Sequence, residues 1–151
     1  MTSSAPSLYR QPVRQAAPES AVPLSQDRPA TASSTEPTGN VASNAVDGDG
    51  STRWASQLGH DPEWLMVDLG TSKTIQEVRL NWEAACGRDY EIQVSDDAQH
   101  WTAIKSVTSN AAPGIKDYAK LNGYGRYVRL YGTARATQYG YSLYEFQVYG
   151  H

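Results

Sequence analysis

The chain has 151 residues, with 13 basic against 16 acidic side chains and a formal net charge of −3. This fits one domain with a single core and argues against a phosphate-binding, nucleic-acid surface. No apolar run approaches a membrane span, and the lone cysteine, Cys86, excludes an internal disulfide and cannot by itself build a zinc site.

In chain order, residues 1–24 come first. The run SSAPSLYRQPVRQAAPESAVPL is rich in Ser, Pro, Ala and Gln without sustained periodicity, and reads as a flexible tail or linker with Leu8, Tyr9 and Val13 able to pack on the domain. Residues 1–20 also lack the apolar stretch of a signal peptide, so an export signal is expected to have been removed or replaced. From Ser25 onward the pattern changes. The stretch NAVDGDGSTRW, Asn44 to Trp54, holds two aspartates one residue apart in a glycine-rich turn. Counted from Asp47 as an EF-hand loop, Asp49 and Ser51 fit the third and fifth positions. Thr52 stands where glycine is needed and Leu58 where a bidentate glutamate is needed, so that template fails. Two readings remain: a different calcium site using Asp47, Asp49, Thr52, carbonyls and a distant carboxylate, or a turn in which the aspartates cap backbone N–H groups.

Short alternating runs follow. WLMVDLG places Leu65, Val67 and Leu69 on one face, VRLNW places Val78, Leu80 and Trp82, and YEIQV places Tyr90, Ile92 and Val94. WTAIKSV, RYVRLYG and YEFQVYG predict three more strands, the second burying Val128 and Leu130, the last Tyr144, Phe146 and Val148. No segment carries a long 3.6-residue stripe. Many short strands with turn signals between them predict an all-β antiparallel sandwich. The histidines, His60, His100 and His151, come with no nucleophile elbow, histidine-based zinc motif or phosphate loop, so no enzyme is expected. Ten tyrosines and four tryptophans against one phenylalanine favour aromatics with a polar edge, suited to a surface that is both wet and adhesive.

The segments NAVDGDGSTRW, DPEWLMVDLG, VRLNWEAA, YEIQVSDDAQHWT and RYVRLYGTARATQYGYSLYEFQVYG occur in that order. Together they resemble the discoidin, or coagulation-factor five/eight type C, domain. In bacterial form this is similar to a family 32 carbohydrate-binding module, of the subgroup attached to chitosan- and β-glucan-degrading enzymes. The resemblance covers residues 25–151 and implies an eight-stranded jelly-roll β-sandwich of the galactose-binding-like kind. It implies a structural Ca2+ held by Asp47, Asp49, Thr52 and Glu145, with the carbonyls of Asn44 and Tyr144 completing the shell. Glu145 lies in the last strand, where an unpaired buried carboxylate would be costly.

The resemblance also implies a sugar site on loops at one end of the sandwich. Pyranose C–H faces pack on aromatic rings, and hydroxyls pair with carboxylates, amides and arginine. The candidates are Glu36, Arg53, Leu58, Glu83, Arg88, Tyr139 and Tyr141, with His60 more readily a loop residue. Glu36, Arg53 and Glu83 match the positions with which chitosan-binding members recognise the glucosamine ammonium, as charge-assisted pairing would allow. Leu58 stands where an aromatic residue is expected, and Cys86 where tyrosine is expected. The candidates also have structural alternatives: Glu36 as a solvated loop carboxylate, Arg53 bridging Asp61 or Glu63, Arg88 as a surface charge, and Tyr139 and Tyr141 as core or rim; Cys86 reads as an unpaired thiol that, if exposed, could join two molecules. As a glycosidase acid and base, Glu36 and Glu83 are less convincing than as a binding pair.

The implied function is a secreted, non-catalytic module that tethers an appended glycoside hydrolase to an extracellular polysaccharide or oligosaccharide. Chitosan or a related β-glucan is the expected partner. The alternative is a galactose- or N-acetylgalactosamine-type lectin on the same fold. No nucleic-acid partner is expected. A membrane partner is disfavoured because animal discoidin domains usually carry a cysteine pair and bulky apolar loop tips, whereas this chain has one cysteine and only Leu58.

Overall fold

The computed structural model describes residues 21–151. The expectation that Leu8, Tyr9 and Val13 pack on the domain lies outside those residues. The strands are β1 (Ala30–Ala32), β2 (Trp54–Ala55), β3 (Glu63–Trp82), β4 (Gly87–Ser95), β5 (Thr102–Val107), β6 (Gly114–Tyr118), β7 (Gly123–Arg135) and β8 (Ser142–Gly150). A single 3-10 turn, Ala42–Ala45, is the one helical element among the described residues. All strand pairs are antiparallel.

The sequence predicts separate strands at WLMVDLG and VRLNW, but both belong to the 20-residue β3. The chain bends where Gly70 takes a φ of +91°, a conformation open to glycine at little steric cost. The pairing with β7 shifts register between Asp68 and Lys73 and then resumes at Lys73 opposite Gly125. The first half of β3 pairs with β1 and β7, and the second half with β8 and β6. One strand therefore serves both layers of the sandwich. The first layer is β1, the first half of β3, β7, β4 and β5. The second is β2, β8, the second half of β3 and β6.

Alternation decides what lies between the layers. Leu65, Val67, Ile92, Val94, Val128 and Leu130 face Val78, Leu80, Trp82, Leu143, Phe146 and Val148 in one core. Burying each such side chain contributes roughly 1.5–3 kcal/mol relative to leaving it exposed. One prediction on β8 is corrected: Tyr144 is only half-buried, and Leu143 takes the core position instead. A bulge explains the change, since Asn81 pairs with Glu145 but Trp82 pairs with Leu143, leaving Tyr144 as the extra residue. The bulge lets Leu143 and Phe146 both face inward.

β3 starts at Glu63, runs to the bend and returns to Trp82. Its two ends therefore lie together, beside the end of β1, the start of β4, the end of β7 and the start of β8. The loops 33–41, 56–62, 83–86 and 136–141 are gathered at that end.

Candidate functional site

These loops enclose a cleft of about 240 Å³, lined by Glu36, Arg53, Leu58, Glu83, Tyr139 and Tyr141 together with small residues such as Ala84, Ala85 and Ser142. Backbone bonds fix each acidic side chain. The Glu36 N–H donates to the Ala55 carbonyl (2.9 Å), and its carboxylate accepts the Thr38 hydroxyl. Glu83 follows β3 directly; its N–H donates to the Ser142 carbonyl (3.0 Å), and its Oε1 accepts the Ala85 N–H (3.1 Å). Arg53 stands just before β2. Its Nη1 donates to Ser142 Oγ (2.7 Å) and lies 3.7 Å from Glu83 Oε1. Two carboxylates against one guanidinium leave a net negative charge in the cleft, and the guanidinium, tied to Ser142 through Nη1, keeps other N–H donors to orient Glu83 or meet a hydroxyl.

The rest of the lining is apolar or aromatic. Leu58 and Tyr139 stand on the rim, 64% and 53% exposed. Tyr141 is fully buried at the back, so between core and rim it is a core residue that one face of the cleft touches. Its hydroxyl donates to Asp61, which also accepts from Arg135 Nε (3.0 Å). Burial first, and then the Asp61 carboxylate, push the Tyr141 hydroxyl well above the usual phenol range. Arg135 Nη1 also reaches the carbonyls of Gln138 (3.4 Å) and Tyr139 (3.5 Å), fastening the loop that carries Tyr139.

Two of the structural alternatives and one candidate fall away. Arg53 bridges neither Asp61 nor Glu63: Asp61 is taken by Tyr141 and Arg135, and Glu63 by Ser33, Ser34, Gln57 and His60. Cys86 is buried and its thiol is pushed up by burial, so it offers no exposed sulfur for joining two molecules. Arg88 does not line the cleft; it is exposed, with Nη2 3.4 Å from its neighbour Asp89. Sequence reasoning missed Ser142, Asp61, Arg135 and Glu63 as organisers of the cleft. Only Glu63 carried a signal. It lies two residues before Leu65, on the inward parity of the WLMVDLG run, where a carboxylate is out of place.

The oxygen-rich loop lies next to Arg53. The Asp49 N–H donates to Asp47 Oδ1 (2.9 Å). The Asp49 carboxylate turns outward to the Ser51 N–H and hydroxyl (2.9 and 2.6 Å), and those bonds hold it below the usual carboxylate range. The Thr52 hydroxyl sits 2.6 Å from Asp47 Oδ2, 3.1 Å from the Asp49 carbonyl and 3.3 Å from the Asn44 carbonyl. One hydroxyl proton cannot serve three acceptors at once. Glu145, on β8, faces Asp47 and the Gly48 backbone, and its Oε2 is buried with no hydrogen-bond partner. Burial, followed by Asp47 and then Asp49, pushes the Glu145 carboxyl up to about 8. Among the described residues no three His, Cys, Asp or Glu side chains converge as a metal group. The donor set here is two carboxylates, a hydroxyl and carbonyls, with an orphaned oxygen and crowded acceptors that a hard cation would relieve.

Comparison with known proteins adds to this geometry. The profile of the F5/8 type C domain matches residues 29–146. The chain is 48% identical to chitosan-binding module 1 of a chitosanase/glucanase from Paenibacillus sp. IK-5, with a TM-score of 0.80, covering 85% of this chain and 98% of that one. It is 42% identical to chitosan-binding module 2 of the same enzyme, solved in complex with chitotriose, with a TM-score of 0.81, covering 84% and 99%. It is also 39% identical, over 83 residues, to the Polysaccharide lyase 8 family protein HylA of Enterococcus faecalis. That match covers 54% of this chain and only 6% of that protein's length.

Proposed function

The chain belongs to the F5/8 type C domain family, and from that premise we propose that it is a non-catalytic carbohydrate-binding module whose cleft takes glucosamine oligomers of chitosan. The observation that carries this reading is the convergence of Glu36, Arg53 and Glu83 in one small cleft with an excess of negative charge. A protonated amine is the sugar substituent that such a site favours over a neutral hydroxyl or an acetamide. The rim residues Leu58 and Tyr139 offer apolar surface to pyranose C–H groups. The likeness to two chitosan-binding modules supports the same ligand class.

The module's contribution would be effective concentration: an appended polysaccharide-degrading enzyme stays close to its polymer outside the cell. A shallow single site of this kind gives a modest affinity, on the order of millimolar to micromolar. The second part of the proposal is a structural calcium ion. Asp47, Thr52, Glu145 and the Asn44 carbonyl would hold it, with Asp49 and Tyr144 offering their carbonyls, and it would pin the 44–52 loop to β8. The orphaned Glu145 oxygen supports that site.

Calorimetric titration with glucosamine oligomers, beside N-acetylglucosamine oligomers, β-1,3-glucan oligomers and galactose, tests the sugar assignment. Binding is expected only with glucosamine oligomers. It should weaken as pH rises through deprotonation of the amine and disappear in Glu36→Ala and Glu83→Ala. Binding of galactose or a neutral glucan with both glutamates dispensable would sink the chitosan assignment.

A further inference from the structure

Glu63 is 1% exposed at the start of β3 and belongs to no surface. Its two oxygens divide their partners by loop. Oε1 accepts the hydroxyls of Ser33 (2.5 Å) and Ser34 (2.7 Å), which lead into Glu36. Oε2 lies 3.2 Å from Gln57 Nε2 and 2.8 Å from His60 Nδ1, which flank Leu58. The two loops also touch each other, since the Gln57 N–H donates to Ser34 Oγ (3.0 Å). Buried Trp54 donates through Nε1 to the Ser34 carbonyl (3.1 Å). One carboxylate, rooted in the rigid β3, therefore grips both the acidic wall and the apolar wall of the cleft.

We propose that Glu63 is a positioning residue that sets the separation of the Glu36 and Leu58 walls, one oxygen to each wall, and so fixes the width of the sugar cleft. This rests on the reading of that cleft as the sugar site. A carboxylate suits the task because it offers acceptors only, and all four neighbours can donate. Its burial against a strand makes the clasp stiff, whereas an exposed carboxylate would exchange its partners with water.

The test compares wild type, Glu63→Gln and the double variant Gln57→Ala/His60→Ala by amide hydrogen exchange without sugar, and by calorimetry with a glucosamine oligomer. Glutamine keeps the shape but removes the charge and replaces one acceptor oxygen with an amide donor, so the charge-assisted bonds to the walls weaken even where a serine hydroxyl turns to accept. The double variant removes only the Oε2 partners, both on exposed side chains, and leaves the core intact. In Glu63→Gln the Gly59 or Glu36 amide, bonded to the carbonyls of Tyr139 (2.8 Å) and Ala55 (2.9 Å), is expected to exchange faster. Core amides such as Leu65 and Val128 should keep their protection. In the double variant only Gly59 accelerates. Affinity is expected to fall about tenfold in both, as for a site whose supporting contacts are loosened. Unchanged loop exchange overturns the clasp, as does faster exchange with wild-type affinity. If wild type binds no glucosamine oligomer, the glucosamine reading falls, while the exchange pattern still decides whether Glu63 holds the walls.

Discussion

Tyr141 owes its place to the missing side chain of a neighbour. A Cβ on Gly132 would stand 2.3 Å from Tyr141 Cε2, inside the ring that backs the cleft. Gly132→Ala is therefore expected to cost about 1–3 kcal/mol by overpacking. Tyr141→Phe removes only the hydroxyl donated to Asp61, which Arg135 still holds, and should cost nearer 1 kcal/mol. Urea denaturation of the two variants checks the order, and a larger loss in Tyr141→Phe would show that the hydrogen bond outweighs the packing. The sequence left Tyr141 open between core and rim for a physical reason. It precedes Ser142, the first residue of β8, so strand parity does not yet apply to it. Glu36, Arg53 and Glu83 were legible by family position. The partners of Arg53 were not, because Ser142 is 89 residues away and no local pattern joins the two.

At the scale of elements, the contact between the 44–52 loop and β8 gives stability a dependence on pH. The Glu145 carboxyl is raised from 4.5 to about 8 in the fold. Between those values the unfolded chain releases this proton and the folded chain keeps it. Stability without metal therefore falls as pH rises through that window and levels off above it. A bound calcium ion would favour the ionised form and remove the penalty. Melting curves in chelator are expected to show a lower Tm at pH 8 than at pH 5, and added calcium should raise Tm more at pH 8. Glu145→Gln should flatten the pH dependence and abolish the calcium shift; a calcium shift that survives it would remove Glu145 from the site. The strands themselves were unevenly legible. Alternation exposed β4, β7 and both arms of β3, which bury one face. β1 and β2 were missed because three and two residues are too short to show alternation, and β6 because none of its five residues is fully buried. The bulge at Tyr144 was invisible because one inserted residue reverses the parity that the prediction used.

Across the whole molecule, the two-layer architecture followed from turn spacing and alternation, while the sharing of one strand by both layers did not. Gly70 and the residues after it read as an ordinary turn between strands, and only the resumed pairing with β7 shows that the ladder continues. That bend marks the end of the sandwich opposite the cleft, since β3 leaves the cleft at Glu63 and returns to it at Trp82. Thr71 is exposed there, while the chain's sole thiol, Cys86, is sealed in the core. A Thr71→Cys variant would thus carry a single reactive handle at the far pole. Coupled to a sensor chip or a bead by that sulfur, every copy would stand the same way up, with its cleft turned toward the solution.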